Sequence, residues 1–378
     1  MMMRAHWLLW GLAVFVRPLP AEACGGGTVT SRTGIVSANA QRIFISARGM
    51  TTEVVTQIVV PETSSDYGVL IPVPAQPTLD PEPVAEEDLA ALDQATAPQI
   101  FVSSGDSGGS SSGCGCPIAG SDGGDKGLPR VALSAPVDIG PVTAVALTGE
   151  TGAAIGGWLE DNAFVIPDSS RPILDAYAGN GKYFIAIRRN AAVIGGPSSI
   201  GIHFTLPGDQ RALPLRFASI GAAPTVGFTL FVAASSVVGP SSGFTALTLS
   251  DLDAGVLRDE GYAPAVEQAV AAHDHHAFVL EGAYTKASLA PQLARPIADL
   301  MAPEAQLTRL SSFMPAEAMT DDVSFDVPYD SSIPSERYVR ASGTGDTRAA
   351  NAGALLALAS AAALWHQRRA ARLRRPRS

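Results

Sequence analysis

The best candidate for a catalytic residue is Ser241, at the centre of a G-x-S-x-G pentapeptide that spans 239–243. In hydrolases this motif presents the serine on a sharp turn between a strand and a helix, and an aspartate and a histidine follow it in the chain. Asp251, Asp253 and His273 follow Ser241 in that order. The residues directly after the motif alternate as a strand does, so a hairpin loop is the simpler interpretation. A serine hydrolase that uses Ser241 is the alternative function.

A second serine motif, GDSGG at 105–109, is typical of chymotrypsin-like proteases. In those enzymes the catalytic histidine and aspartate precede the serine. His6 is the only histidine before Ser107, and it lies in an N-terminal segment with the features of a leader. The surrounding SSGDSGGSSSG can produce the motif by composition alone, so we interpret it as a loop.

Three histidines flank Asp274 in the sequence HDHH at 273–276. Adjacent residues at a helix end point in different directions and rarely converge on one ion, so we predict an exposed helix end rather than a metal site. His203 alternates with apolar neighbours in a strand-like run, and we predict that it faces solvent or is hydrogen-bonded.

Four glycines, at 149, 152, 156 and 157, lie between a predicted strand and a predicted helix. They match neither the dinucleotide-binding nor the P-loop pattern, and no lysine is placed to assist a phosphate. The sequence therefore predicts no cofactor, no metal and no catalytic set, and we interpret the protein as a non-enzyme.

The N-terminus has the parts of a secretory signal peptide, predicted to span residues 1–23. Arg4 supplies a positive charge, 7–16 is apolar, and Ala21-Glu22-Ala23 forms a cleavage site before Cys24. The apolar core is too short to span a bilayer as a helix. The protein is therefore predicted to be exported.

The C-terminus combines an apolar run with a cluster of arginines. Residues 349–366 are predicted to form a transmembrane helix after a polar stalk at 331–348, because 349–365 carries no charge. A helix of that length reaches about 26 Å, close to the hydrocarbon thickness of about 30 Å. The arginines of 367–378 form a stop-transfer pattern that places a basic tail in the cytoplasm. The alternatives are a buried or amphipathic helix with a basic tail, and a sorting signal that is removed after export.

The charge of the exported part excludes some partners. Without the leader and the tail, the chain keeps 18 of its 26 Lys and Arg and 35 of its 36 Asp and Glu, a net charge near −17. Such a surface disfavours nucleic acid and anionic lipid. The predicted partners are the membrane, through the C-terminal helix, and another envelope protein.

The chain has three cysteines, Cys24, Cys114 and Cys116. In an exported protein a disulfide can form, and one cysteine must remain unpaired. The interpretation is a bridge from Cys24 to one of the other two. A lipid on Cys24 and a metal site on the Cys114–Cys116 pair are the alternatives, although two thiolates do not complete a zinc shell.

The first half of the chain, 24–102, has strong local signals. Strand-like runs are predicted in RIFISARG at 42–49, in TTEVVTQIVV at 51–60 and at 67–73. Arg48-Gly49 marks the turn between the first two, and prolines at the end of the third force an edge or an exit. A helix with an acidic first turn follows, and its Leu89 and Leu92 face inward.

A Gly/Ser-rich linker is predicted at 103–127, and the second part of the exported domain at 128–330. Its predicted strands are 141–148, 183–188, 200–206, 213–220, 226–232 and 277–280. Its predicted helices are 155–162, a short one that begins near Ser170 and stops at Gly179, and 264–272.

The chain contains a set of short motifs, which are Ala23-Cys24-Gly25-Gly26, Arg42-Ile43-Phe44, YGVLIPVP at 67–74, Leu92-Asp93 through Thr96-Ala97-Pro98, Trp158-Leu159, 183–186, 277–279, 307–310 and 315–320. Together they resemble the bacterial exported family known as domain of unknown function 2330. They occur in the order of the family over roughly 24–327. Because the family has no assigned activity, the resemblance implies fold and location but no catalytic residue. The family usually has a second cysteine where Val29 stands, so the resemblance favours a pairing of Cys24 with Cys114 or Cys116.

These observations predict an α+β fold, mainly antiparallel sheet with a few helices packed on one side. The function they predict is that of an exported, membrane-anchored protein of the cell envelope. Its large domain would face the periplasm or the outside and act by binding or scaffolding.

Overall fold

The computed structural model describes residues 28–30, 38–59, 68–102, 131–190, 193, 199–220, 222–241, 243–327 and 338–341. The predicted leader, the three cysteines, GDSGG, the segment 103–127, the predicted transmembrane helix at 349–366 and the basic tail lie outside the described residues.

The described strands carry most of the regular structure. In chain order they are β1 (Thr28–Thr30), β2 (Ala38–Ala47), β3 (Thr51–Val59), β4 (Gly68–Val73), β5 (Thr78–Leu79), β6 (Val84–Ala85), β7 (Gln99–Val102), β8 (Val131–Leu133), β9 (Val137–Ile139), β10 (Val142–Gly149), β11 (Tyr183–Arg189), β12 (Ser199–Pro207), β13 (Ala212–Leu213), β14 (Ala222–Ala234), β15 (Gly239–Pro240), β16 (Thr245–Thr248), β17 (Ala277–Thr285), β18 (Gln306–Pro315), β19 (Val323–Asp326) and β20 (Tyr338–Ala341).

The helices are short. In chain order they are α1 (Glu86–Thr96), α2 (Gly152–Asp161), α3 (Arg171–Gly179), α4 (Leu215–Ala218), α5 (Ala254–Asp259), α6 (Tyr262–Ala271), α7 (Lys286–Leu289) and α8 (Arg295–Leu300).

Two large sheets organise the described part of the chain. The first is nine-stranded, in the order β16-β17-β18-β14-β2-β3-β12-β5, with β6 also paired to β12. The second is six-stranded, in the order β1-β4-β11-β10-β8, with β9 also paired to β10. Most pairings are antiparallel, and β14 with β2, β16 with β17 and β20 with β7 are parallel. The α+β prediction with mainly antiparallel sheet is confirmed.

Both sheets contain strands from both sides of the segment 103–127. In the nine-stranded sheet β3 pairs with β12 and β2 pairs with β14, and in the six-stranded sheet β4 pairs with β11. The two flanking parts of the chain therefore share one fold.

The sheets stack face to face, and helices cover the outer face of each. Ile43 and Ile58 of the first sheet share a core with Ile71 and Ile185 of the second. The opposite face of the first sheet packs against α1, α7 and α8. The opposite face of the second packs against α2 and α3. The prediction of helices on one side only is wrong, because strand periodicity does not tell one sheet from two.

Local signals determined many elements well. The β2–β3 hairpin turns at Gly49, whose φ is +80°, and Leu89 and Leu92 of α1 are fully buried. The strand predicted over 213–220 is wrong. Pro214 precedes a single helical turn, α4, whose Leu215 and Phe217 are buried, because apolar residues two apart over so short a stretch fit a helix as well as a strand.

The long strand β18 was not predicted. Its buried positions include Thr308, Arg309, Ser311 and Ser312, so its composition lacks the apolar alternation of a half-buried strand.

The region ahead of the predicted anchor contains one described element. Residues 338–341, within the predicted stalk, form β20, which pairs with β7 and lies against α5. Across the described residues no helix is both long and apolar enough to cross a membrane.

Candidate ligand site between the two sheets

A cavity of about 90 Å³ lies between the two large sheets, at the C-terminal end of β4. Its walls are mainly hydrocarbon. The side chains that form them include Ile43 and Ile45 of β2, Val54 of β3, Ile71 and Val73 of β4, Phe204 and Leu206 of β12, and Leu213 of β13. Strand alternation explains this composition, since every second residue of β2, β3 and β4 points between the sheets.

Tyr177 and Asp322 lie at the cavity and hydrogen-bond to each other. The Tyr177 hydroxyl donates to the two carboxylate oxygens of Asp322 at 2.5 and 2.7 Å, and the backbone N–H of Arg216 donates to the same carboxylate at 3.1 Å. Burial raises the pKa of Tyr177, and the hydrogen bond to Asp322 raises it further. Tyr177 therefore stays a neutral phenol and a donor at any physiological pH.

One residue that lines the cavity carries a buried hydroxyl group for which the described residues supply no hydrogen-bond partner. Thr56 lines the cavity from β3 and is 3% exposed. Among the described residues nothing hydrogen-bonds to its hydroxyl oxygen. Its neighbours two positions away, Val54 and Ile58, both belong to the core between the sheets, so Thr56 points the same way.

Ser241 lies in a loop that pairs with β19. Its backbone N–H donates to the Ser324 carbonyl at 2.8 Å, and its hydroxyl accepts from the Ser324 N–H at 3.3 Å. The two residues of β15 precede Ser241, and β16 follows shortly after it. A hydrolase with this motif needs a helix directly after the serine, and here the next element is a strand.

The two aspartates proposed as partners of Ser241 are engaged elsewhere, and the proposed histidine is exposed. Asp251 forms a capping box with Thr248, and Asp253 caps α5 by accepting from the N–H groups of Gly255 and Val256. His273 is exposed just beyond the end of α6.

The HDHH stretch forms the turn after α6. Asp274 and His275 have left-handed backbone angles, with φ of 52° and 61°, and Nδ1 of His276 contacts the Asp274 carbonyl at 2.8 Å. The residues that the structure describes contain no group of three His, Cys, Asp or Glu that could hold a metal.

A buried charge network joins β17, β18 and α1. Arg309 pairs with Glu281 through Nε, and its Nη1 donates to the Asp93 carboxylate at 2.5 Å. Asp93 also pairs with Arg42 at 3.1 Å. Burial alone would lower the pKa of Arg309, but the negative charges of Glu281 and Asp93 outweigh it and raise the pKa. The guanidinium is therefore permanently charged, and its Nε and Nη1 both bind carboxylates.

Tyr262 completes this network from α6. Its hydroxyl donates to Glu281 at 2.5 Å. Burial and the neighbouring carboxylate raise its pKa well above the usual range. The network thus links α1, α6 and the first sheet.

His203 of β12 lies between two carboxylates, one from each side of its strand. Glu53 belongs to β3, and Asp80 directly follows β5. Its Nδ1 is 2.9 Å from Asp80 and its Nε2 is 3.1 Å from Glu53, which also accepts from Thr205 at 2.7 Å. His203 is hydrogen-bonded, one of the two placements that its sequence context predicts.

Sequence reasoning missed both the charge network and the cavity. Glu281 directly follows the apolar run of 277–280, and Arg309 occurs in a strand of mixed polarity, so the local sequence does not indicate that the two side chains meet. A charged residue inside an otherwise apolar strand was the one signal that could have indicated a buried pair.

The family comparison matches the description "Uncharacterized protein conserved in bacteria (DUF2330)" over residues 20–326. The chain belongs to this family. No curated protein and no solved structure matches it.

The DUF2330 match contains every strand of the two large sheets and every residue of the cavity. The charge network and the His203 cluster also lie within it.

Proposed function

We propose that this DUF2330 protein is exported, is held in the bacterial cell envelope by a C-terminal transmembrane helix, and acts by binding a small apolar ligand between its two sheets. The cavity carries this proposal. Ligand sites are concave and mostly apolar, with a few polar groups that set orientation, and the inter-sheet cavity has this composition.

Export and anchoring rest on the two ends of the chain. The signal-peptide features of 1–23 and the apolar run of 349–366 with its following arginines support one topology, in which the DUF2330 domain lies outside the cytoplasm. The acidic balance of the exported part supports a partner other than nucleic acid.

The polar groups at the cavity suit ligand binding rather than catalysis. The Tyr177 hydroxyl donates to the Asp322 carboxylate, and Tyr177 stays protonated. A general acid or base needs a pKa near the working pH and an open position for the reacting proton. A binding role requires neither.

Thermal unfolding of the full chain in nanodiscs tests the binding proposal, with toluene as the probe at a free concentration fixed by dialysis. Toluene should raise the unfolding temperature of the wild type progressively as its free concentration rises above its dissociation constant. Ile45→Trp fills the cavity and should abolish the shift. Ile45→Val, which costs about 0.5–1.5 kcal/mol of stability, should keep it.

A wild-type chain that gains no stability from toluene would overturn the binding proposal. An equal gain in the wild type and in Ile45→Trp would overturn it as well, since the probe would then bind elsewhere.

A further inference from the structure

The lining of the inter-sheet cavity changes from hydrocarbon to polar toward the outside of the protein. The branched aliphatic residues that line it are all buried, and Ile45 and Leu213 are at most 2% exposed. Three polar residues of the lining are more accessible, since Lys182 and Gln210 are half-buried and Asp322 is exposed. The cavity therefore opens to solvent where these polar residues lie.

Two cations flank this opening. Lys182 is part of the cavity lining itself. Arg216 is held beside it, because its backbone N–H donates to Asp322 at 3.1 Å. Burial and the Asp322 carboxylate raise the pKa of Tyr177, and the positive charge of Arg216 lowers it in part. The guanidinium is therefore close enough to the Tyr177–Asp322 pair to act on it.

Neither cation has an acceptor for its side chain among the residues that the structure describes. The same holds for Arg295, whereas the other described Lys and Arg side chains contact a carboxylate, a carbonyl oxygen or an aromatic ring. Those others are Arg42, Arg48, Arg171, Arg188, Arg189, Arg211, Arg258, Lys286 and Arg309. Two of the three cations without an acceptor thus lie at one opening.

The opening lacks an acceptor rather than a donor. Asp322 already accepts from the Tyr177 hydroxyl and from the Arg216 N–H. An ionised carboxylate only accepts hydrogen bonds, and ammonium and guanidinium groups are its strongest donors. Charges more than about 10 Å away are screened at physiological salt, so the adjacent cations influence a ligand at the opening more than the acidic balance of the whole domain does.

The size of the cavity limits the rest of the ligand. An apolar cavity of about 150 Å³ in another protein binds benzene, and the inter-sheet cavity measures about 90 Å³. The buried part of a ligand is therefore no larger than a small ring or a short branched chain. Its charged group must remain at the opening, because the interior of the cavity is hydrocarbon.

We infer that the cavity binds a small carboxylic acid in its anionic form, with a short branched chain between the sheets and the carboxylate at the opening beside Lys182 and Arg216. This inference rests on the proposed binding function and names the chemical class of its ligand. Burial of the chain supplies affinity, and the two cations select the anion over a neutral molecule of the same shape.

Isovalerate and isovaleramide are matched probes, because they share a branched chain and differ by a carboxylate in place of a neutral amide. The full chain in nanodiscs, labelled with ¹³C at isoleucine δ1 methyl groups, reports on the site because Ile43, Ile45 and Ile71 line the cavity. Ile155 and Ile297 belong to the cores on the outer faces of the sheets and serve as internal controls. Toluene, added in a separate titration, reports on the apolar cavity alone.

At neutral pH, isovalerate should shift the three cavity methyl resonances and leave the two controls unchanged. It should bind about fivefold more tightly than isovaleramide, as expected for a partly exposed ion pair. This preference should shrink as sodium chloride rises from about 20 mM to about 500 mM, because salt screens the pair.

Three variants locate the source of the preference. Lys182→Met keeps a long apolar side chain without the charge, and it should bind the two probes within about twofold of each other. Lys182→Arg keeps the charge and should keep the preference for isovalerate. Arg295→Gln is the matched control, because it removes the third cation without an acceptor, at the start of α8 on the opposite face of the first sheet. Its preference should equal that of the wild type.

Equal binding of isovalerate and isovaleramide by the wild type would overturn the inference, as would an unchanged preference in Lys182→Met. A preference that falls equally in Arg295→Gln would overturn it too, since the charge effect would then not belong to the opening. In each case cavity methyl groups that respond to isovaleramide or to toluene would leave the binding function standing. Cavity methyl groups that respond to none of the three probes would overturn both.

Discussion

The guanidinium of Arg309 and the carboxylate of Glu281 form an ion pair inside the DUF2330 domain, where the two side chains are 7% and 0% exposed. Arg309 also reaches Asp93 of α1 and lies over the ring of Phe231, with Cζ 5.2 Å from the ring centroid. The pair therefore fixes α1 to the nine-stranded sheet through charge as well as through apolar packing.

Removal of one partner should be far more harmful than removal of both. Glu281→Gln leaves a buried guanidinium short of a counter-charge and should lower the free energy of unfolding by about 3–5 kcal/mol in urea titrations. The triple variant Arg309→Met, Glu281→Leu, Tyr262→Phe should recover most of that loss, because Asp93 keeps its pair with Arg42 and no Tyr262 hydroxyl is left without its Glu281 acceptor. A loss below about 1 kcal/mol for Glu281→Gln would mean that the pair is not desolvated in solution.

The hydrogen bond from Tyr177 to Asp322 predicts a loss of stability in alkali. The pKa of Tyr177 is raised in the folded state above the value of about 10 in an unfolded chain. The stability from this shift is therefore complete below about pH 10 and is lost as the pH rises toward the folded-state pKa.

Tyr177→Phe should lower the free energy of unfolding by about 1.5–3 kcal/mol near neutral pH, which is the range for a hydrogen bond to a charged group. Its stability should also fall less steeply than that of the wild type above about pH 10. Urea midpoints from pH 7 to 11 measure both effects. Parallel curves for variant and wild type would show that Tyr177 makes no contribution.

His203 holds Asp80, which precedes α1, to the strand pair β3–β12. Nδ1 of His203 lies within hydrogen-bond distance of Asp80, and Nε2 lies within hydrogen-bond distance of Glu53. His203→Ala should destabilise the fold by about 1–3 kcal/mol, because it removes the side chain that contacts both carboxylates.

Hydrogen exchange locates the effect of that change. His203→Ala should speed the exchange of backbone amides in 80–88, whereas Thr205→Val, which removes only a donor to Glu53, should leave that segment protected. Equal exchange in 80–88 for both variants would show that the link to Asp80 is unimportant.

Local residue patterns predicted many of the elements but not their assembly. The alternation of β2 and β3, the glycine turn between them and the acidic first turn of α1 are properties of neighbouring residues. The assembly of each sheet depends on pairings between residues more than 100 positions apart, such as Thr56 with Ile202 in the first sheet and Ile71 with Ile185 in the second. A threonine in a strand gives no sign of whether it faces solvent or a cavity, so Thr56 could not be singled out from the sequence.

The Ser241 alternative makes a clear prediction of its own. Since Asp251 and Asp253 cap backbone N–H groups, Ser241 should have no activating base. A fluorophosphonate probe should label the wild type and Ser241→Ala equally weakly. Strong labelling of the wild type that disappears in Ser241→Ala would establish a hydrolase.

The central proposal is that the DUF2330 domain lies outside the cytoplasm on a C-terminal anchor. Two epitope tags test it most directly, one placed directly after Cys24 and one after Ser378. Both tags should fractionate with the membrane, and external protease should digest only the first tag in spheroplasts. A first tag that resists protease until the membrane is broken would contradict export. A second tag that is lost while the domain appears at the surface or in the medium would contradict the anchor.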